Sequence, residues 1–381
     1  MKSFTGLKMA FSICLLSFLL IGGPVAAEID IKGEAAILVN ASDGMVIHEK
    51  NSDKKWYPAS MTKLMTLIIA LEAEKNGQCS MNDKVVTSEN AASYGGTQLY
   101  LEPGEEFTLD DMLKAVILGS ANDASVAVAE HIAGTEEAFV ELMNKKAKEI
   151  GAINTHFMNS HGLHHDDHYT TAKDMALIAL YSLRYPETLE YTSLKYYEFR
   201  EDPPTARYSL NKLLWWYPGA DGLKTGTTTV AKRNLVATAN RDGLRLISVV
   251  MGVDEQNGHF RESMKLLNYG FAKYSFKMFF EQGTILGKVR VDKGMVDLID
   301  IVPQENIGLA ILKGQDEGYE TKINLVAYLP APVNKGTYAG EVIILKEGQE
   351  IKKYELVAAS DVPKGSFSRL LGKVFKKVFC V

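Results

Sequence analysis

Two short apolar runs, Ala36-Ile37-Leu38-Val39 and Met45-Val46-Ile47, flank the turn residues Ser42-Asp43-Gly44, a pattern that predicts a β-hairpin. The apolar spacing then becomes helical. Met61 to Glu74 is apolar and rich in helix formers, and Leu109 to Leu118 and Ala124 to Ile132 repeat apolar residues at helical intervals. Strand patterns return at Leu235-Val236-Ala237-Thr238 and Leu246-Ile247-Ser248-Val249-Val250, and Arg261 to Tyr274 predicts a further helix. Strands at both ends of a helical block imply one sheet with helices packed on it. Beyond Gly283, short runs such as Lys322-Ile323-Asn324-Leu325, Glu341-Val342-Ile343-Ile344-Leu345 and Tyr354-Glu355-Leu356-Val357 alternate with Gly, Pro and Asn turns. Residues 281–362 therefore read as a small all-β domain.

The two ends follow other rules. Lys2 and Lys8 precede an apolar run from Met9 to Gly23, and Val25-Ala26-Ala27 supplies small residues before Glu28. This is the pattern of a secretory signal over residues 1–27, and the run is short for a membrane span. At the other end Phe367, Leu370, Leu371, Val374, Phe375, Val378 and Phe379 step along one face of a helix. Lys364, Arg369, Lys373, Lys376 and Lys377 accompany them with no acid, so residues 363–381 are expected to lie as an amphipathic helix on an anionic membrane surface. Docking of that helix on its own domain is the alternative. The net charge of -5 divides into +2 on residues 1–27, +5 on residues 363–381 and -12 between them. An acidic body argues against nucleic acid as a partner. Export places the protein on the outer face of the cytoplasmic membrane and leaves Cys79 and Cys380, too few for a disulfide framework.

Three short motifs carry candidate chemistry. Ser60-Met61-Thr62-Lys63 is an S-x-x-K sequence, as are Ser52 to Lys55 and Ser209 to Lys212. Only the first follows a proline and opens a long apolar helical run, where Ser60 and Lys63 share a face. A hydroxyl is a weak nucleophile until a base takes its proton, and Lys63 acts as a base only when neutral. Ser120-Ala121-Asn122 lies between two helices, where a loop aims side chains into a cleft. Lys224-Thr225-Gly226, followed by Thr227, fits an edge strand that a peptide can join, with Lys224 and Thr225 set to bind a carboxylate. Each motif also has a plain structural reading: a helix cap with a surface lysine, a second cap, and a polar strand edge.

Taken in this order, with gaps of 60 and 104 residues, the motifs resemble those of the low-molecular-weight penicillin-binding proteins that act as D-alanyl-D-alanine carboxypeptidases. The likeness extends over most of residues 30–275 and continues into the β domain and tail. It implies an α/β (α+β) fold of the β-lactamase and transpeptidase type, with helices flanking an antiparallel sheet. A catalytic domain over 28–280, a β-rich domain over 281–362 and the helix over 363–381 follow. It also implies that Ser60 forms an acyl-enzyme, Lys63 accepts its proton, Ser120 and Asn122 complete the site, and Lys224, Thr225, Gly226 and Thr227 bind substrate. The backbone N–H groups of Ser60 and Thr227 would then hold the oxyanion. The implied partners are a peptidoglycan stem peptide and β-lactams, with no cofactor. His161, His164, His165 and His168 have spacings that suit zinc, but zinc ligands are usually held on fixed elements, the resemblance puts His161-Gly162-Leu163 in a structural loop near the cleft, and no metal is expected. Two departures stand out. Val230, Lys232 and Arg233 replace small residues found in several relatives, and His259, with Arg261 nearby, occupies the place of an expected carboxylate-binding arginine. Rival readings are a β-lactamase, for which Ala121 replaces a usual Asp, a DD-endopeptidase, and a non-catalytic wall-binding protein.

Overall fold

The first predicted hairpin forms as strands Ala35–Asn40 and Val46–Lys50. In this computed structural model, which describes residues 29–201, 204–369 and 371, it joins three later strands in one antiparallel sheet. The spatial order is Val46–Lys50, Ala35–Asn40, Leu244–Val253, Lys232–Arg241 and Ala220–Thr228. The strand bearing Lys224 is thus a sheet edge, as its polar flank requires. The described residues from Ile31 onward cluster as one compact unit. The signal at 1–27, and residues 370 and 372–381 of the tail helix, lie outside the described residues. Among those described, no helix is long and apolar enough to cross a membrane.

The helix Lys63–Lys75 buries ten of its thirteen residues. Its apolar character all round fits a helix enclosed by others. Met65 and Ile68 face the sheet cluster with Val249 and Met251, while Leu67 and Leu71 join a second cluster with Leu113, Val116 and Val126. Each such side chain contributes about 1.5–3 kcal/mol over an exposed one. Helices Leu109–Ile117, Glu136–Glu149 and Ala172–Ser182 begin at Thr108, Thr135 and Thr171, whose hydroxyls accept from the backbone N–H three residues on.

Two local features depart from the apolar pattern of the sequence. The helix starts at Lys63 rather than at Ser60, because Ala59–Thr62 forms a tighter 3-10 turn. Ala59 there has φ +50°, a conformation set by tertiary packing described below. The hairpin of Tyr196–Glu201 with Pro204–Tyr208 has no clear signal in the pattern, since Pro204 lacks a ladder donor. Arg200 anchors it with paired bonds of 2.6 and 2.7 Å to Glu105.

After helix Gly258–Lys273 the chain is β-rich. Tyr274–Phe280 pairs with Ile307–Leu312, and six further strands form a second sheet around its own apolar core, including Val289, Ile301, Ile344 and Leu356. A groove of about 710 Å³ lined by Gln282, Pro303, Lys335 and Val357 lies there and contains none of the motif residues.

Candidate active site

The 3-10 turn brings Ser60 and Lys63 together because side chains three residues apart eclipse in that geometry. Lys63 Nζ lies 3.3 Å from Ser60 Oγ, 2.7 Å from Asn122 Oδ1 and 2.6 Å from the His161 carbonyl oxygen. A neutral amine has two N–H bonds and one lone pair. With the two carbonyl oxygens taking two N–H bonds, a neutral Lys63 turns its lone pair to the Ser60 hydroxyl, whereas a charged Lys63 donates its third N–H there. Lys63 is fully buried. Burial, and then the charge of Lys224, hold its pKa well below the ordinary lysine value, against the opposing pull of Asp123 and Glu136.

The second and third motifs meet across the same cleft. Lys224 Nζ donates to Ser120 Oγ at 3.0 Å and to the Thr225 carbonyl at 3.2 Å. Burial pushes the Lys224 pKa down to about 7. Ser120 is held at φ +56°, a strained conformation for a residue with a side chain. Its neighbour Asn122 is tied by a backbone bond of 2.7 Å to Thr97 and a side-chain bond of 2.8 Å to Gly95. Asp123 accepts from the backbone N–H groups of Leu99 and Leu101, so one segment walls the site.

Gly226 lets the edge strand approach the nucleophile turn. A Cβ there would sit 2.5 Å from the Pro58 carbonyl oxygen and 3.1 Å from the Ser60 nitrogen. Thr225 is nearly buried beside it, and Thr227 is exposed at the rim. Ser60, Lys63, Ser120, Asn122, Lys224, Thr225 and Gly226 therefore share one site, with Thr227 at its mouth.

The loop at 160–163 adds groups that the motifs do not name. Gly162, at φ +89°, packs so tightly that a Cβ would come 2.0 Å from the Ala59 carbonyl oxygen. This contact holds the turn in which Ala59 is strained. Glu136 accepts from Ser160 N–H at 2.9 Å and Ser160 Oγ at 2.7 Å, fixing the loop whose His161 carbonyl holds Lys63. A backbone carbonyl carries no residue-type signal. His161 Nε2 lies 3.5 Å from Glu136, yet burial pushes its pKa down to about 2, so this contact is not an ion pair.

The histidines turn to separate partners. His168 Nε2 meets Thr62 Oγ1 at 2.8 Å, His164 stacks edge-on against Tyr57, and His165 Nδ1 accepts from Asp167 N–H. Among the described residues, no group of three or more His, Cys, Asp or Glu is placed to hold a metal.

Comparison with known proteins places the chain in a family. Residues 24–255 match the D-alanyl-D-alanine carboxypeptidase family, and residues 274–364 match the penicillin-binding protein 5 C-terminal domain. The chain is 38% identical to the D-alanyl-D-alanine carboxypeptidase DacF of Bacillus subtilis over 353 residues, 92% of this chain and 90% of that protein. It is 34% identical to DacC of Escherichia coli, over 88% of this chain and 86% of that one. The crystal structure of penicillin binding protein 5 from Haemophilus influenzae aligns with a TM-score of 0.68 at 33% identity, covering 88% of this chain and 99% of that one.

Proposed function

The chain belongs to the D-alanyl-D-alanine carboxypeptidase family, and from that premise we propose which of its residues act and where it works. It is a serine-type D-Ala-D-Ala carboxypeptidase, of a family in which covalent penicillin binding is typical. The stem peptide lies along the Lys224 strand. Ser60 Oγ attacks the carbonyl of the penultimate D-alanine while its proton passes to the Lys63 lone pair. The N–H groups of Ser60 and Thr227 hold the oxyanion, an interaction worth about 3 kcal/mol per donor in the barrier. Collapse breaks the peptide bond. The leaving amine takes a proton by way of Ser120, and D-alanine departs. Water then hydrolyses the Ser60 ester and restores the hydroxyl.

One observation carries this reading: a buried Lys63 amine held by the Asn122 and His161 oxygens, 3.3 Å from the Ser60 hydroxyl. Lys224 supports it. A substrate carboxylate near Lys224 favours its charged form, and that charge adds to burial in lowering the Lys63 pKa. The purified protein is expected to release one D-alanine per D-Ala-D-Ala peptide and to carry a penicillin adduct that peptide mapping places on Ser60. An adduct on Ser120 or any other residue refutes the assignment.

The apolar start and the basic tail support export, with the tail helix lying in the anionic surface at the outer face of the cytoplasmic membrane. The full chain, freed of residues 1–27, is expected to sediment with anionic lipid vesicles. Lys373→Glu, Lys376→Glu and Lys377→Glu together should abolish this. Equal sedimentation of both proteins counts against the tail.

A further inference from the structure

The β domain carries an apolar tip that its own core does not use. Strands Gly287–Asp292 and Leu298–Pro303 pair antiparallel, and the segment joining them holds Met295, Val296 and Leu298 at 47%, 46% and 55% exposure. Single apolar residues scattered over a surface are ordinary, but three within four positions make a patch. The patch is not on a loose loop. The Asp297 carbonyl accepts from Val291 N–H at 2.9 Å and closes the turn. Gly294 is buried beneath it, where a Cβ would sit 2.7 Å from Val291 Cγ1 and 3.0 Å from Val362 Cγ1. The fold thus holds these side chains out in water at fixed positions, while Val291 and Ile299 on either side join the core.

The tail of the chain leaves from the same tip. Met295 N–H donates to the Pro363 carbonyl at 2.9 Å, and Gly365 N–H donates to the Lys293 carbonyl at 2.8 Å. Residues 367–369 and 371 are helical, and Arg369 reaches back to Asp297 at 3.1 Å, which ties the helix start to the turn. Phe367 is 79% exposed, and Leu371, four residues on and on the same helix face, is exposed too. The apolar face of the helix start therefore opens to solvent beside the tip. Cations frame the patch. Arg290 opposes Leu298 on the outward face and lies over the ring of Tyr328, itself half exposed. Lys293 and Lys364 flank the turn. Asp297 is answered by Arg369 and Asp300 by Lys288 at 3.3 Å, and Asp292 has Arg290 two residues before it and Lys293 after it. The sequence beyond adds Lys373, Lys376 and Lys377 with no acid.

We propose that the Met295–Leu298 turn dips into an anionic lipid surface beside the tail, as a second membrane contact rigidly joined to the first. Protruding apolar side chains with an aromatic ring and cations around them suit the boundary between headgroups and acyl chains. Apolar burial supplies the attraction, and the cations meet the lipid phosphates. A helix lying alone in the interface leaves the attached domain free to swing about the point where the chain emerges. A contact on the body of the domain removes that freedom and fixes how the β domain stands on the lipid. The inference rests on the reading that the tail lies on that surface.

The test uses the chain freed of residues 1–27 and vesicles of phosphatidylcholine with phosphatidylglycerol. Met295→Ser together with Val296→Ser is expected to weaken vesicle binding about 10- to 100-fold, the effect of losing half a side chain's burial at two positions. Penicillin labelling should be unchanged. Position is read separately, in a chain carrying Cys79→Ser and Cys380→Ser. An environment-sensitive fluorophore on Val296→Cys should shift to the blue on vesicles and be quenched by spin-labelled lipid. The same fluorophore on Ile285→Cys, also exposed but before the opposite end of strand Gly287–Asp292, should do neither. A protein that sediments with the vesicles while the Val296→Cys label stays unquenched overturns the turn contact and leaves the tail reading standing. Equal quenching at both sites also overturns it. Emission already blue without vesicles and unmoved by them places the tail or a second copy over the turn, against the proposal. A protein that does not sediment at all overturns the tail reading and the turn contact together.

Discussion

Ser60→Ala is expected to remove both D-alanine release and covalent penicillin uptake, lowering kcat on the order of 10⁶-fold. The size follows from the role. Without the hydroxyl there is no acyl-enzyme, and the remaining groups only position the peptide for attack by water. The fold should survive. The Ser60 side chain is partly exposed, and Lys63 keeps its two bonds to Asn122 and His161. A stability change within about 0.5 kcal/mol is expected, as for surface substitutions generally. Three measurements check this: free D-alanine, intact mass after penicillin, and a thermal melt. A variant that still gains the mass of penicillin has its nucleophile elsewhere, and Ser120, bonded to Lys224, is then the first residue to inspect.

The sequence exposes the parts of this site whose chemistry lies in side chains. Ser60, Lys63, Asn122 and Lys224 are legible because a hydroxyl, an amide and two amines at these spacings have few other reasons to recur in order. The hairpin and the central helix are legible because their apolar spacing is strong. What stays hidden depends on contacts between distant segments. The 3-10 turn at Ala59–Thr62 follows from the packing of Gly162 against Ala59, 103 residues apart. The His161 carbonyl and the left-handed Ser120 are backbone features. Arg233 reads in sequence only as an unusual residue after the third motif. Register sets it opposite Thr227 on the edge strand, and register is not visible before the strands are paired.

The same buried amine should leave a signature in the pH dependence of folding. Lys63→Met is expected to slow acylation by about 10²–10⁴-fold, the usual contribution of a positioned base. It should also change the slope of stability against pH. In the unfolded chain Lys63 is charged below about pH 10.4. In the folded protein, burial and Lys224 hold it neutral well below that pH. The folded state therefore binds fewer protons than the unfolded state, and stability rises with pH through this window. Above the unfolded lysine pKa this penalty is gone. At lower pH it is largest, until the folded site itself takes a proton. Methionine has no such penalty, but it leaves the Asn122 and His161 oxygens unpaired, at about 1–3 kcal/mol each. These two effects oppose each other at any one pH, so the absolute difference is a poor test and the slope a good one. The unaltered protein should gain on the variant by up to about 1.4 kcal/mol per pH unit on the way to pH 10. Denaturant titrations of both proteins between pH 7 and 10 measure this directly. Parallel stability curves would mean that Lys63 stays charged inside the fold, and a charged lysine has no lone pair with which to take the Ser60 proton.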